Sequence, residues 1–405
     1  MIAPRPIEER AQRYAFMGFL GMFPALFVVY SFMAVSGFGG QYTGLSGIMA
    51  IGCISLLALL SWNKFSNLSQ KALLLVLSIH LYILYVFLYA VVFHFFDSEL
   101  PKTYIIYTFT YLIYIYAFLM IGFNYKPNHQ QHNLILSVCF YLMFLYIVTN
   151  IDPQRSIFSA GSENEDGVVS YQGFGRYFIG VSLSLIAIST FRLRAIIASV
   201  SAIGLFFLGS RSDLFGFIFI SPLFFINFSD ANKTFFNYVS IGLATILFAS
   251  MLLLYGQSDI FEKFQNNRAL EITELASSSS WQSRSNLQEQ AIDAIKENPI
   301  VGDYGGQLKS TGSIGNFAHN FMSAWRQFGL IGFLLFTSIT LYSLAVTLRA
   351  TIKYKMNSPY VQLALFVNLY SVFLLLASKP VFWFFVALGW GLSIAIQNAI
   401  ERNNL

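Results

Sequence analysis

Charged side chains are scarce in this chain: Asp, Glu, Lys and Arg make up 11% of its 405 residues, against about 25% in an ordinary soluble domain. That shortage excludes a soluble enzyme, whose surface is solvated largely by charge. Cysteine is nearly absent. Cys53 and Cys139 both fall inside apolar runs, so no disulfide framework is implied and neither thiol reports the redox state of an outer compartment. Histidine is sparse as well, and no second His or Cys lies near His319 at ligand spacing, which argues against a metal site. No phosphate-binding loop is present. Gly302-Asp303-Tyr304-Gly305-Gly306 lacks the Gly-Lys-Ser/Thr that must follow, and it reads as a flexible loop. An internal repeat is also missing, which weighs against a carrier built from inverted halves.

What the chain has in abundance is apolar sequence: 56% hydrophobic residues, 43 Phe, 23 Tyr and a mean hydropathy of +0.61. A bilayer core of about 30 Å needs roughly 20 apolar residues per helix, and about twelve such runs occur. The expected spans lie near 13–35, 42–62, 72–96, 104–124, 133–151, 173–191, 195–210, 212–228, 235–255, 328–348, 359–378 and 381–398. The two flanking Arg211 are short and suggest tilted or broken helices. The expectation is an all-α, polytopic membrane protein, with residues 1–405 forming one membrane domain.

Lys and Arg in short loops resist translocation and so set orientation. With the N-terminus in the cytoplasm, thirteen of them fall in cytoplasmic segments, while the opposite short loops keep only Lys102, Arg155, Arg176, Arg211 and Lys379. Both termini then face inward. A large loop at 256–315 and a smaller one at 152–172 face outward. The net charge of +5 is mostly this topological bias, so it gives no argument for nucleic-acid binding. The first span follows a basic leader without an Ala-x-Ala cleavage pattern and reads as a retained anchor.

The large loop holds 13 of the 43 charged residues of the chain, which marks it as the working surface. Ser279 with Gln282 three residues on makes a capping box, and Asn298-Pro299 a stop, so a helix is predicted over 281–297. Trp281, Arg284, Leu287, Ala291 and Ile295 share one face of it. Arg284 thus lies on an apolar stripe, where it either snorkels and pairs or is aimed at an anion. Arg211, in Gly209-Ser210-Arg211-Ser212, stands at the outer membrane boundary, where an ionisable group is costly unless it faces a cavity. A structural pair with Asp213 is the alternative. Arg176 opens the sixth span after Tyr171-Gln172 and reads equally as an interfacial anchor. Of the five His residues, only His319 lies in the outer loop system, where a neutral imidazole suits a general base. A structural imidazole is the plainer reading.

Taken together, Gly-Ser-Arg at 209–211, Trp281-Gln282-Ser283-Arg284, Asn298-Pro299-Ile300-Val301-Gly302, and His319-Asn320 followed by Gly329-Leu330-Ile331-Gly332 resemble the O-antigen polymerase and O-antigen ligase superfamily of bacterial cell envelopes (Wzy-type polymerases and their lipid A-core ligase relatives). The resemblance covers mainly residues 170–335. Many relatives place an acid just before the Gly that follows His-Asn; here Trp325-Arg326-Gln327-Phe328 holds none, so no role passes from that acid.

The resemblance implies a GT-C-like membrane glycosyltransferase at the periplasmic face of the bacterial inner membrane, working without nucleotide sugar, metal or other cofactor. Its implied donor and acceptor are glycans on undecaprenyl diphosphate, and a chain-length regulator is a further partner of the polymerase reading. His319 would serve as base, with Arg284 and Arg211 as catalytic cations. Arg176, Tyr171, Gln172, Trp281 and Asn320 would contact substrate. A polymerase is preferred because the loop is compact and Tyr171-Gln172 precedes the sixth span. Ligation to lipid A-core is the close alternative. A non-enzymatic glycolipid transporter is the reading from another class, and it would need charges along a path across the membrane.

Overall fold

A computed structural model describes residues 6–36, 42–96, 101–152, 157–158, 171–225, 279–312, 316–354 and 358–402. Within them the chain is helical, apart from one two-residue antiparallel pair, Ile151–Asp152 with Ile157–Phe158. The helices are α1 (Pro6–Leu20), α2 (Leu26–Ser36), α3 (Tyr42–Phe65), α4 (Gln70–Phe96), α5 (Lys102–Asn124), α6 (His129–Thr149), α7 (Tyr171–Ile188), α8 (Phe191–Phe207), α9 (Arg211–Ile220), α10 (Ser279–Glu297), α11 (Gly306–Thr311), α12 (Met322–Lys353), α13 (Pro359–Ala377) and α14 (Val386–Glu401). A π-turn, Gly21–Ala25, joins α1 to α2 and contains Pro24. Proline lacks the N–H that a helix interior needs, and a wider turn absorbs the mismatch.

Seven of these helical segments are long and apolar enough to cross a membrane: Glu8–Phe32, Ser46–Phe65, Gln70–Phe95, Lys102–Asn124, Gln130–Thr149, Met322–Lys353 and Pro359–Ala377. Twelve spans were expected, and seven helices among the described residues meet that length and composition. The expected span at 235–255 and loop residues 256–278 lie outside them. Gln172–Ile188 is a shorter apolar helix. Helices α8, α9 and α14 have 17, 10 and 16 residues, fewer than the roughly 20 that an untilted span of a core of about 30 Å takes. The interruption expected around Arg211 is present, because α8 ends at Phe207 and α9 begins at Arg211.

Helix α14 is short yet central. Every residue from Val386 to Gln397 is buried, as expected of a helix that is apolar all round. It packs against α5, α12, α13 and α4. The crossing with α5 is close: a Cβ at Gly391 would lie 2.2 Å from the Leu119 carbonyl oxygen, and one at Gly122 would lie 2.3 Å from that of Leu388. Small residues let backbones approach this way in membrane bundles. On the outside, α3 and α4 expose Ile48, Leu59, Trp62, Leu74, Leu77 and Leu81, an apolar surface suited to lipid rather than water.

Beyond Asn298 the chain is far from a flexible loop. Gly302 (φ 78°) and Gly329 (φ 65°) interlock. A Cβ at Gly329 would lie 2.1 Å from the Ile300 carbonyl, and one at Gly302 would lie 2.6 Å from the Gly329 nitrogen. Leu330 N–H donates to the Ile300 carbonyl at 3.1 Å, and Trp325 Nε1–H to that of Pro299 at 2.7 Å. Gly329 interrupts α12, so the span expected at 328–348 starts earlier, at Met322, and bends.

Below this lock lies a closed polar ring. Tyr104 donates to Gln327 Oε1, Gln327 Nε2 to Gln307 Oε1 at 2.6 Å, and Gln307 Nε2 to the Tyr104 hydroxyl at 3.0 Å. The Gly305 N–H adds a further donor to Gln327. All three side chains are buried, and a buried polar group is tolerated because it is satisfied. Arg326 donates through Nε and Nη2 to Asp303 Oδ2 at 3.2 and 3.1 Å. The carboxylate in this region comes from the glycine-rich stretch.

Candidate functional site

Short helices present the charges. Helix α9 opens with Arg211, and its first turn holds Asp213, which is 1% exposed. A carboxylate so deep is costly unless paired and hydrogen-bonded. Ser210 donates to its Oδ2, the Tyr370 hydroxyl of α13 donates to Oδ1 at 2.9 Å, and Lys379 Nζ lies 3.5 Å from Oδ1. The pair is therefore Asp213 with Lys379, which the sequence reading did not assign. Arg211 stands two residues before it and is half-buried.

Helix α7 brings Arg176 to the same place. A Cβ on Gly175 would come within 2.7 Å of Asp213 Oδ2, so its first turns lie against the start of α9. The Arg176 guanidinium stands 4.5 Å from the centre of the Phe384 ring, a cation-π contact. Its Nε is buried without a hydrogen-bond partner. Gln172 is half-buried. The side chains of Tyr171 and Trp281 lie outside what the structure describes.

His319 precedes α12 in a short loop. Its Nδ1 lies 3.1 Å from the Ser378 carbonyl oxygen. A carbonyl only accepts, so Nδ1 carries the proton and Nε2 offers its lone pair. Burial, followed by the positive charges of Arg284 and Lys379, pushes the imidazole down to about 4, with the Ser378 hydrogen bond opposing. The ring is neutral at pH 7. Ser378 and Lys379 leave the end of α13 together, each N–H donating to Leu374 at 2.8 Å. That turn is stitched to the His319 loop, because Val381 N–H donates to Ser323 Oγ at 2.7 Å and Ser323 Oγ–H to the Asn320 carbonyl. Asn320 Oδ1 accepts from Met322 N–H at 3.0 Å, a local bond that positions the entry to α12.

Helix α10 supplies Arg284. It runs from Ser279 to Glu297, two residues earlier at its start than expected, and Leu287, Ala291 and Ile295 are buried as the stripe required. Arg284 on that stripe is half-buried and lies close enough to His319 to act on its charge.

The contacts thus run from His319 through Ser378 and Lys379 to Asp213, and on to Ser210, Tyr370 and the start of α7, with Arg284 near enough to act on His319 electrostatically. From sequence, Tyr370 was missed, Asp213 was considered only as a partner for Arg211, and Lys379 only as an outer-loop cation. Ala377-Ser378-Lys379-Pro380 carries the same signal that singled out Gly209-Ser210-Arg211-Ser212, one cation between two apolar runs. What such an arrangement can do is hold an anion among guanidinium and ammonium groups beside a neutral base.

No curated protein matches the chain. Residues 196–337, which include Arg211, Asp213, Arg284 and His319 but neither Arg176 nor Lys379, match the family model described as O-antigen ligase. Over this segment the chain is similar to the O-antigen polymerase and ligase superfamily.

Proposed function

We propose that this protein is a glycosyltransferase that joins undecaprenyl-diphosphate-linked repeat units into a surface polysaccharide at the periplasmic face of the inner membrane. The observation that carries it is His319, held neutral with Nε2 available, beside Arg284 and Lys379. In the reaction, an acceptor sugar hydroxyl forms a bond to the donor's anomeric carbon while the bond from that carbon to the diphosphate oxygen breaks. His319 Nε2 takes the hydroxyl proton. The electron pair leaves with the diphosphate, where Arg284, Arg211 and Arg176 stabilise the charge that develops. Lys379 holds Asp213 and adds to the positive field. The diphosphate is already a good leaving group, so the donor needs no separate activation.

The same cations make the base depend on the donor. Arg284 and Lys379 add to the depression of the imidazole that burial begins, and a bound diphosphate would offset their charge. The basicity of His319 then rises when there is a substrate to deprotonate.

Ligation to lipid A-core is the second reading, favoured by the description of the matching family. Purified protein supplied with short lipid-linked repeats alone distinguishes the two. A ladder of products supports polymerisation, and turnover only after lipid A-core is added supports ligation. If His319→Ala and Arg284→Ala both transfer at the wild-type rate, neither residue belongs to the mechanism.

A further inference from the structure

Helix α10 has a second working face. Gln282, Asn286 and Gln290 follow one another at four-residue spacing, so their carboxamides line one side of the helix. They border a cavity of about 380 Å³ whose opposite wall is formed by Thr311 at the end of α11 and by Asn316. Ser283 lies between the walls, and the apolar Leu287 adjoins the buried stripe.

Three properties narrow the ligand. None of the lining side chains is ionised, so the cavity is not built for the diphosphate, whose place is among Arg284, Arg211 and Arg176. Carboxamides and hydroxyls each donate and accept, which matches sugar hydroxyls that do the same. Gln282, Asn286, Gln290 and Asn316 make no side-chain hydrogen bond among the described residues, so their polar groups are available. The segment that follows α10 is tied to α12 where Gly302 meets Gly329, and α11 is tied to α5 and α12 by the Gln307–Gln327–Tyr104 ring.

We infer that the groove bordered by α10, Thr311 and Asn316 is a binding site for a neutral stretch of glycan. This deepens the transferase reading and rests on it for the source of the glycan. The groove would read sugar hydroxyls and so set which repeat unit is accepted, while the cations hold the phosphates common to all donors.

The test uses the full-length protein in nanodiscs. Its probes are the delipidated repeat-unit oligosaccharide released from the host's own polysaccharide, and inorganic pyrophosphate as the charged control. Oligosaccharide should protect amides of 282–290 and 311–312 from hydrogen exchange. Asn286→Trp, which fills the groove, and the double variant Gln282→Ala with Gln290→Ala should each weaken oligosaccharide binding about tenfold or more, or 1.4 kcal/mol. Both should raise KM for lipid-linked substrate with little change in kcat, and pyrophosphate binding should stay as in wild type. These side chains are exposed, so folding should be retained. Oligosaccharide bound equally well by Asn286→Trp, or lost progressively with added salt, overturns the groove proposal even if transfer proceeds. Oligosaccharide bound in the groove with no transfer under any condition upholds the groove and removes the transferase reading.

Discussion

His319 is tuned by what surrounds it rather than by its own chemistry. In the folded chain the imidazole protonates near pH 4, whereas an ordinary one does so at 6.5. Between those values the unfolded chain binds the extra proton. Stability in detergent should therefore be level above pH 6.5 and fall, by on the order of 3 kcal/mol, as the pH drops towards 4. His319→Gln should remove that slope, which thermal unfolding at a series of pH values measures. Arg284→Ala removes one depressing charge, so the acid limb of the kcat/KM profile should move to higher pH, though not to 6.5, because burial is the larger cause. His319→Ala should lower kcat by about 10²–10⁴ with donor binding retained. Asp213 belongs to the same scale. Asp213→Asn removes a buried carboxylate on which Ser210, Tyr370 and Lys379 converge, and should cost about 1–3 kcal/mol, read as a lower midpoint of thermal unfolding.

Among the elements, α10 shows how far local pattern reaches. Its cap and stop residues placed it to within two residues at one end, and its buried stripe followed from spacing alone. The segment after it was misjudged as flexible, since a glycine-rich stretch looks the same whether it is loose or locked. Gly302 and Gly329 make the difference, and each explains the other: two backbones meet where neither tolerates a side chain. Gly329→Ala places a methyl 2.1 Å from a carbonyl at a left-handed φ and should cost on the order of 3 kcal/mol. Hydrogen exchange should then accelerate across 279–312 together rather than at one site. Gln327→Leu would take away the acceptor of the Tyr104 hydroxyl proton and of the Gly305 N–H and the donor to Gln307 Oε1, and should cost about 1–3 kcal/mol.

For the whole molecule the question is which side the charges face. The Lys and Arg bias puts the α10 to α11 region outside and Lys126 inside. In a background without the two native cysteines, Glu289→Cys should react with a membrane-impermeant maleimide in intact spheroplasts, and Lys126→Cys only after lysis. The reverse pattern would put the site in the cytoplasm and end the periplasmic assignment. The apolar outer faces of α3 and α4 were legible from composition, but the burial of α14 was not. An apolar run reads alike whether it meets lipid or other helices, and only packing shows that Val386–Gln397 is enclosed.

The sequence by itself determined the membrane class, most of the helix positions and the few cations worth following, because hydropathy and charge act locally and leave their mark in short windows. The tertiary structure alone decided the partners: Lys379 with Asp213, Arg326 with Asp303, His319 with the Ser378 carbonyl. A buried charge must find its counterpart wherever packing brings one, and sequence distance carries no information about that meeting.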